Sequence, residues 1–160
     1  EPPLAKITAV TTGKIVDMDF HDSMNMGAAM AMAALDTIVR NFRDLGVDET
    51  HYDQIITGDL GTVGRRLLLD YLMQAGYRIE SRYMDCGIEM FSPEEQDTHA
   101  GGSGCGCSAA VLCGYILPKI RSGEWKRVLF LPTGALLSTV SFNEGKSVPG
   151  IAHAVVLETG

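Results

Sequence analysis

The sequence predicts an α/β domain, and three observations carry that prediction. A strand-like run, Tyr52 to Thr57, passes through Gly58-Asp59-Leu60-Gly61-Thr62-Val63-Gly64 into a helical apolar stripe, which is the strand, glycine turn and helix of an α/β unit. Two almost wholly apolar β-type runs, Val128 to Leu131 and Ala152 to Leu157, read as central strands covered on both faces. The composition, 46% hydrophobic and 21% charged over 160 residues, fits one folded domain at roughly 150 residues per domain.

Taken in order, Lys6 to Phe20 is rich in Val, Ile and Thr, with Ile15, Asp17 and Asp19 alternating against Val16, Met18 and Phe20. This predicts a first strand with a break at Gly13. From Ser23 the period changes: Met26, Met30, Ala33, Ala34, Thr37, Ile38, Phe42 and Leu45 share one helical face, and Gly46 supplies the stop. Gly27 to Leu35 has no polar residue on any face, so this part of the helix is expected to be enclosed, its methionines filling the core.

After the 52–57 strand, Leu60, Val63, Leu67, Leu68, Tyr71, Leu72 and Ala75 form the second helical stripe. Tyr77 to Thr98 reads as an irregular polar excursion, with Ser92-Pro93-Glu94-Glu95 as a turn or helix start. Ala100-Gly101-Gly102-Ser103-Gly104-Cys105-Gly106-Cys107-Ser108 then leads into a helix with an apolar face of Ala109, Leu112, Cys113, Ile116 and Ile120, capped at Gly123. The predicted order is strand, helix, strand, helix, excursion, helix, strand, strand.

Thirteen Lys and Arg against twenty Asp and Glu give a net charge of -7, which argues against nucleic acid as a partner. The densest basic cluster, Lys119, Arg121, Lys126 and Arg127, sits at a predicted helix end, where it balances the dipole. The longest apolar run, the ten residues Met26 to Leu35, is far short of a membrane span. No basic amphipathic helix or lipidation signal is present, so any membrane association is expected to run through protein partners. The start, Glu1-Pro2-Pro3, has neither an initiator Met nor a signal pattern and reads as the edge of a piece of a longer chain.

Three chemistries compete with plain packing. Gly58, Gly61 and Gly64 open a helix where backbone N–H groups favour an anion, but the spacing is GxxGxxG and no lysine holds a phosphate-loop position, so tight turning is preferred to a nucleotide. Cys86, Cys105, Cys107 and Cys113 with His99 offer soft ligands, yet lack the paired spacing of structural zinc; free cysteines in a reducing compartment and no metal are expected. Cys105 or Cys107 near a helix N-terminus is a candidate nucleophile, with His99 the nearest base in sequence.

Three signatures carry a resemblance: the Ala- and Met-rich helix from Asn25 to Leu35, the turn Ile56-Thr57-Gly58-Asp59-Leu60-Gly61, and the glycine-rich run from Gly101 to Ser108 with its helix. They resemble the C-terminal half of a thiolase-fold protein. Gly101-Gly102-Ser103-Gly104-Cys105-Gly106-Cys107-Ser108-Ala109-Ala110 and Leu131-Pro132-Thr133-Gly134-Ala135-Leu136-Leu137-Ser138 are more closely similar to the stage V sporulation protein AD family, over essentially the whole chain.

The resemblance implies a three-layer α/β/α half with a mixed five-stranded sheet, residues 1–160 forming a C-terminal thiolase-fold domain whose N-terminal partner half precedes Glu1. It further implies that the His and Asn which polarise a thioester in condensing enzymes would fall here at Gly58 or Asp59 and at Ser103, so both roles are vacant. No catalytic residue, metal or cofactor is expected. The family works in spore formation, binding dipicolinic acid and moving it, with other stage V membrane proteins, into the developing spore. The resemblance thus implies a forespore protein at the periphery of the inner membrane, and a homodimer formed through the absent half.

A pocket for this flat aromatic dianion needs N–H groups, hydroxyls or a cation, and the candidates are Gly104, Cys105, Ser103, Thr133, Ser138 and Asp59. Calcium is an alternative carrier, delivering the ligand as a neutral chelate. An active acyl-transfer or condensing enzyme and a structural interaction module are the competing readings.

Overall fold

The computed structural model describes residues 3–160. The two longest helices follow the predicted periodicities. Helix α1 spans Met26–Leu45 and ends at Gly46, whose φ of 65° is the left-handed conformation that closes a helix. Its apolar first half is enclosed as expected, with Ala28 to Ala31 buried, and it lies against α2, Gly61–Gln74.

Strands β1 (Lys6–Thr11), β2 (Gln54–Thr57), β3 (Tyr83–Asp85), β4 (Arg127–Leu131) and β7 (Ala154–Glu158) form the main sheet, in the order β1-β7-β4-β2-β3. The pairs β4–β2 and β2–β3 are parallel, while β7 runs antiparallel to both β1 and β4. A short hairpin pairs β5 (Thr133–Ala135) with β6 (Gly150–Ala152). Alternate residues of a strand point to opposite faces. Ile55, Leu129, Leu131, Ala154 and Val156 therefore pack with α1 and α2, whereas Ile56, Met84, Val128, Phe130 and Leu157 pack with the helix that follows the glycine-rich run. These two apolar clusters on opposite faces make the three-layer α/β/α arrangement with its mixed five-stranded sheet.

A buried polar chain fixes α1 to the sheet. The Tyr52 hydroxyl donates to Asn41 Oδ1 at 2.6 Å, and Asn41 Nδ2 donates to Thr11 Oγ1 at 2.9 Å. Burial pushes the Tyr52 hydroxyl up to about 12, so it remains a donor.

Three expectations are corrected. The first strand stops at Thr11 rather than Phe20. At Gly13 the chain passes so close to the hairpin that a Cβ would lie 1.7 Å from the Ala152 carbonyl oxygen. Beyond it, Val16 makes one bridge to Gly150, and Asp17 turns the chain by accepting the Asp19 N–H at 2.9 Å. The 77–98 excursion is not wholly irregular, since it contains β3 and the single helical turn α3, Cys86–Glu89. The run from Ala152 to Leu157 is interrupted at His153, between β6 and β7.

The helix after the glycine-rich run also differs from its predicted face. It comprises α4 (Cys107–Val111), a π-helical turn (Leu112–Ile116) and α5 (Leu117–Arg121). Its buried residues are Cys107, Val111, Ile116 and Ile120, so the step across the π turn is five residues, and Ala109 and Cys113 are exposed. Pro118 supplies a physical reason. It has no N–H for a helical bond to Gly114 and its ring would crowd that carbonyl, a conflict the wider turn relieves.

Candidate functional site

The parallel strands β2, β3 and β4 end on the same side of the sheet, the side where open α/β sheets bind ligands. Just past the end of β2, a Cβ on Gly58 would lie 2.6 Å from Thr133 Oγ1 and 2.8 Å from Ser108 Oγ. The 131–133 and 107–108 segments thus close over Gly58, and no imidazole can project from this position without displacing them.

Asp59, half-buried, is the hub of this edge. Its Oδ2 accepts the Ser103 hydroxyl and the Gly104 N–H, each at 3.1 Å. Its Oδ1 accepts the Thr133 hydroxyl at 3.1 Å, and the same hydroxyl oxygen accepts the Asp59 N–H at 3.1 Å. Four of the six candidate residues are therefore joined directly: Asp59, Ser103, Gly104 and Thr133. The other two are not part of this network. Cys105 is exposed. Ser138 caps the short helix α6 (Thr139–Asn143), its Oγ accepting the Ser141 N–H at 3.1 Å.

Near Asp59 lies a second carboxylate, which no periodicity or motif in the sequence singles out. Asp85, at the end of β3, is 1% exposed. It accepts the Thr57 hydroxyl at 2.6 Å, the Leu60 N–H at 2.9 Å and the Gly61 N–H at 3.0 Å. The Tyr83 hydroxyl lies 2.5 Å from Thr57 Oγ1, extending the chain of hydroxyls. Burial pushes the Asp85 carboxyl above its ordinary range, and the bonds from Thr57, Leu60, Gly61 and Ile88 partly offset that. The Thr62 N–H is taken as well, by the Ala100 carbonyl at 2.8 Å. The first donors of α2 are thus engaged by the protein's own groups, in agreement with tight turning and against a phosphate cradle.

The two buried thiols are held in their protonated form, and His99 is beside neither. Cys107 is buried and its Sγ faces the Gly58 carbonyl at 3.8 Å. Burial, with the negative charges of Asp59 and Asp85 nearby, pushes it up to about 11. Cys86, also buried, is raised in the same way. His99 is exposed and faces Asp97 at 3.5 Å rather than a thiol. Among the described residues, no three His, Cys, Asp or Glu groups gather as a metal site.

Beside Asp59 opens a cleft of about 240 Å³, bordered by Asn25, Met30, Asp59, His99 and Ser103. It is smaller than the roughly 300–1,000 Å³ typical of sites for drug-sized ligands, which suits a ligand of one ring. Asn25 sits at the start of α1 without forming a side-chain cap, leaving its amide available to the cleft. A polar residue just ahead of an apolar helix was the only sequence signal for it.

Residues 1–158 match the sequence model of the family described as stage V sporulation protein AD. Stage V sporulation protein AD of Bacillus subtilis (strain 168) is 43% identical over 153 residues, covering 96% of this chain and 45% of that protein. Among solved structures, acetyl-CoA acetyltransferase from Syntrophomonas wolfei superposes with a TM-score of 0.57 at 12% identity, over 99% of this chain and 32% of that one. 3-Oxoacyl-(acyl-carrier-protein) synthase III from Aquifex aeolicus VF5 gives 0.51 at 14% identity, over 98% of this chain and 54% of that one. At such identities the likeness is one of fold, and the fold is thiolase-like. The chain spans a little under half the length of the curated relative.

Proposed function

Because the chain belongs to the stage V sporulation protein AD family and is a sporulation protein on a thiolase-like fold, we propose that it binds dipicolinic acid without catalysing acyl transfer. In this reading it takes part in moving that compound into the developing spore. The observation that carries the reading is the hub at Asp59. Where the resemblance to condensing enzymes calls for an oxyanion-stabilising His, the chain has a glycine closed over by its neighbours and a carboxylate tied to Ser103, Gly104 and Thr133. A fixed negative charge opposes a developing oxyanion, so the edge is suited to holding a ligand rather than to polarising a thioester.

The same charge bears on the form of the ligand. A dianion about 5 Å from a carboxylate, at an effective dielectric of about 20, is repelled by about 7 kcal/mol. The neutral calcium chelate avoids this repulsion, and its metal attracts the carboxylate. We therefore favour the chelate as the bound species, with Asn25 and the hydroxyls of Ser103 and Thr133 as the polar groups around the cleft.

The transport role places the protein in the forespore, against the inner membrane through other stage V membrane proteins. None of the described helices is long and apolar enough to cross a membrane.

The test is a calorimetric titration of dipicolinic acid, with and without calcium, into this chain and into the full-length Bacillus subtilis relative. Binding to both that calcium strengthens is the expected result, and binding to the longer protein alone locates the pocket in the part this chain lacks or across the two. Binding to neither overturns the reading in favour of a structural interaction module. Acylation by a thioester analogue overturns it in favour of a condensing enzyme.

A further inference from the structure

Away from the strand-end site, a groove of about 420 Å³ runs between the outer face of α2 and the turn at residues 77–80. Three guanidinium groups border it: Arg65 and Arg66 from the helix, Arg78 from the turn. Among the described residues, none of these three side chains forms an ion pair or a hydrogen bond; Arg65 lies over the Tyr83 ring, 5.9 Å from its centre. Single unpaired cations occur elsewhere among the described residues, such as Arg43 and Arg121, and others are engaged, as where Lys14 and Arg40 both pair with Asp36 at 2.8 and 2.9 Å; the groove differs in gathering three unpaired ones around one hollow.

The wall between the arginines is apolar. Leu69, Met73, Tyr77 and Ile79 contribute it, with Ile79 fully buried and Met73 56% exposed. Two carboxylates, Asp70 and Glu80, stand at the margin, and Glu49 accepts the Arg78 backbone N–H at 3.3 Å without engaging its guanidinium. Three unpaired planar forks around an apolar wall match a particular chemistry. Guanidinium forks bind carboxylates through paired hydrogen bonds and stack on flat rings, and the apolar wall accepts the body between them.

We propose that this groove is a second binding site, for a flat aromatic dicarboxylate, with Arg65, Arg66 and Arg78 receiving its two carboxylates and Tyr77 and Met73 lying against its ring. The class includes the ligand proposed for the strand-end cleft, and to that extent the inference rests on the same reading. The two sites differ in their electrostatics. The groove is arginine-lined and takes the free dianion, whereas the cleft beside Asp59 favours the calcium chelate.

The test uses isophthalate, a flat aromatic dicarboxylate without the ring nitrogen that completes calcium chelation, titrated by calorimetry into the intact protein at low salt with EDTA present. Saturable one-to-one binding is expected, weakened by added salt and lowered at least tenfold in R65A/R66A/R78A. The three side chains are partly or fully exposed, so that variant is expected to fold, which a thermal melt checks. R65K/R66K/R78K keeps the charge without the forks and is expected to regain only part of the loss. No isophthalate binding, unchanged affinity in the alanine variant, or full recovery in the lysine variant overturns the proposal. Inorganic phosphate binding as tightly as isophthalate overturns the role of the ring. Calcium-dependent dipicolinate binding, measured in parallel, is expected to survive in R65A/R66A/R78A, so failure at one site is distinguishable from failure at the other.

Discussion

Asp59 and Thr133 hold each other in both directions. The Thr133 hydroxyl donates to the Asp59 carboxylate while accepting the Asp59 backbone N–H, both at 3.1 Å. This reciprocal pair ties the segment after β2 to the segment after β4, and it sets the position of the carboxylate that dominates the strand-end edge.

Thr133→Val keeps the shape and removes both bonds. It is expected to destabilise the protein by about 1–3 kcal/mol, because a partly buried N–H and a carboxylate lose their partner together. Thr133→Ser keeps the hydroxyl and is expected to cost less than half as much. Urea denaturation of the two variants beside the parent measures the difference, and equal losses in both would remove the hydroxyl from the account.

Gly58→Ala places a methyl group 2.6 Å from Thr133 Oγ1 and 2.7 Å from its backbone nitrogen. An expected loss of about 1–3 kcal/mol follows from overpacking. Gly58→His, which puts an imidazole at one of the two positions the resemblance assigns to the condensing-enzyme His, is expected to lose stability and to gain no thioester cleavage. Appreciable cleavage by that variant would show that the scaffold is readier for catalysis than its packing indicates.

Asp59→Asn removes the charge that disfavours a free dianion. In an R65A/R66A/R78A background, which removes the groove, dipicolinate binding to this chain is expected to become less dependent on calcium, with affinity for the free dianion rising at least tenfold. Calorimetry in EDTA reads this directly; an unchanged calcium requirement would assign the metal dependence to other groups.

Asp85 gives a pH dependence of unusual sign. Burial raises its folded value above the ordinary 3.8, so the fold retains a proton that the unfolded chain has released. Its contribution is fully present below 3.8 and is lost as the pH rises through the raised folded value. The stability of the protein relative to Asp85→Asn is therefore expected to fall as the pH is raised from about 4. Denaturant melts of both proteins at stepped pH test this, and a relative stability that rises over the same range refutes it.

The four thiols divide by exposure. Cys105 and Cys113 are exposed, Cys86 and Cys107 buried with raised values. Brief iodoacetamide treatment of the native chain at pH 7.5 is expected to add two carbamidomethyl groups by mass, and four after unfolding. Native labelling of Cys107 would contradict the protonated, enclosed thiol described above.

The long helices were legible because their apolar positions recur over many turns. The face of Met26 to Leu45 and that of Leu60 to Leu72 each repeat often enough to fix period and direction. β3 was not legible, because Tyr83–Asp85 is three residues long and shows no period. Its brevity hid Asp85, the buried anchor of α2. The 15–20 segment misled for the opposite reason: its alternation is real, but Asp17 spends its side chain on a turn instead of facing solvent from a strand. A 3.6-residue period puts Cys113 on the buried face, and the π turn interrupts that period. Of the site, the glycine-rich turns were readable as turns. Which polar groups meet there depends on three strands converging in space, and sequence spacing does not encode that.

The position of β7 has a consequence for biosynthesis. Among the main-sheet strands β1 pairs only with β7, so residues 6–11 have no partner until residues 154–158 have been made. A chain lacking β7 leaves β1 with no partner and uncovers the edge of β4, both open to neighbouring chains. Loss of residues 154–158 would therefore leave a chain prone to aggregate rather than a slightly trimmed domain.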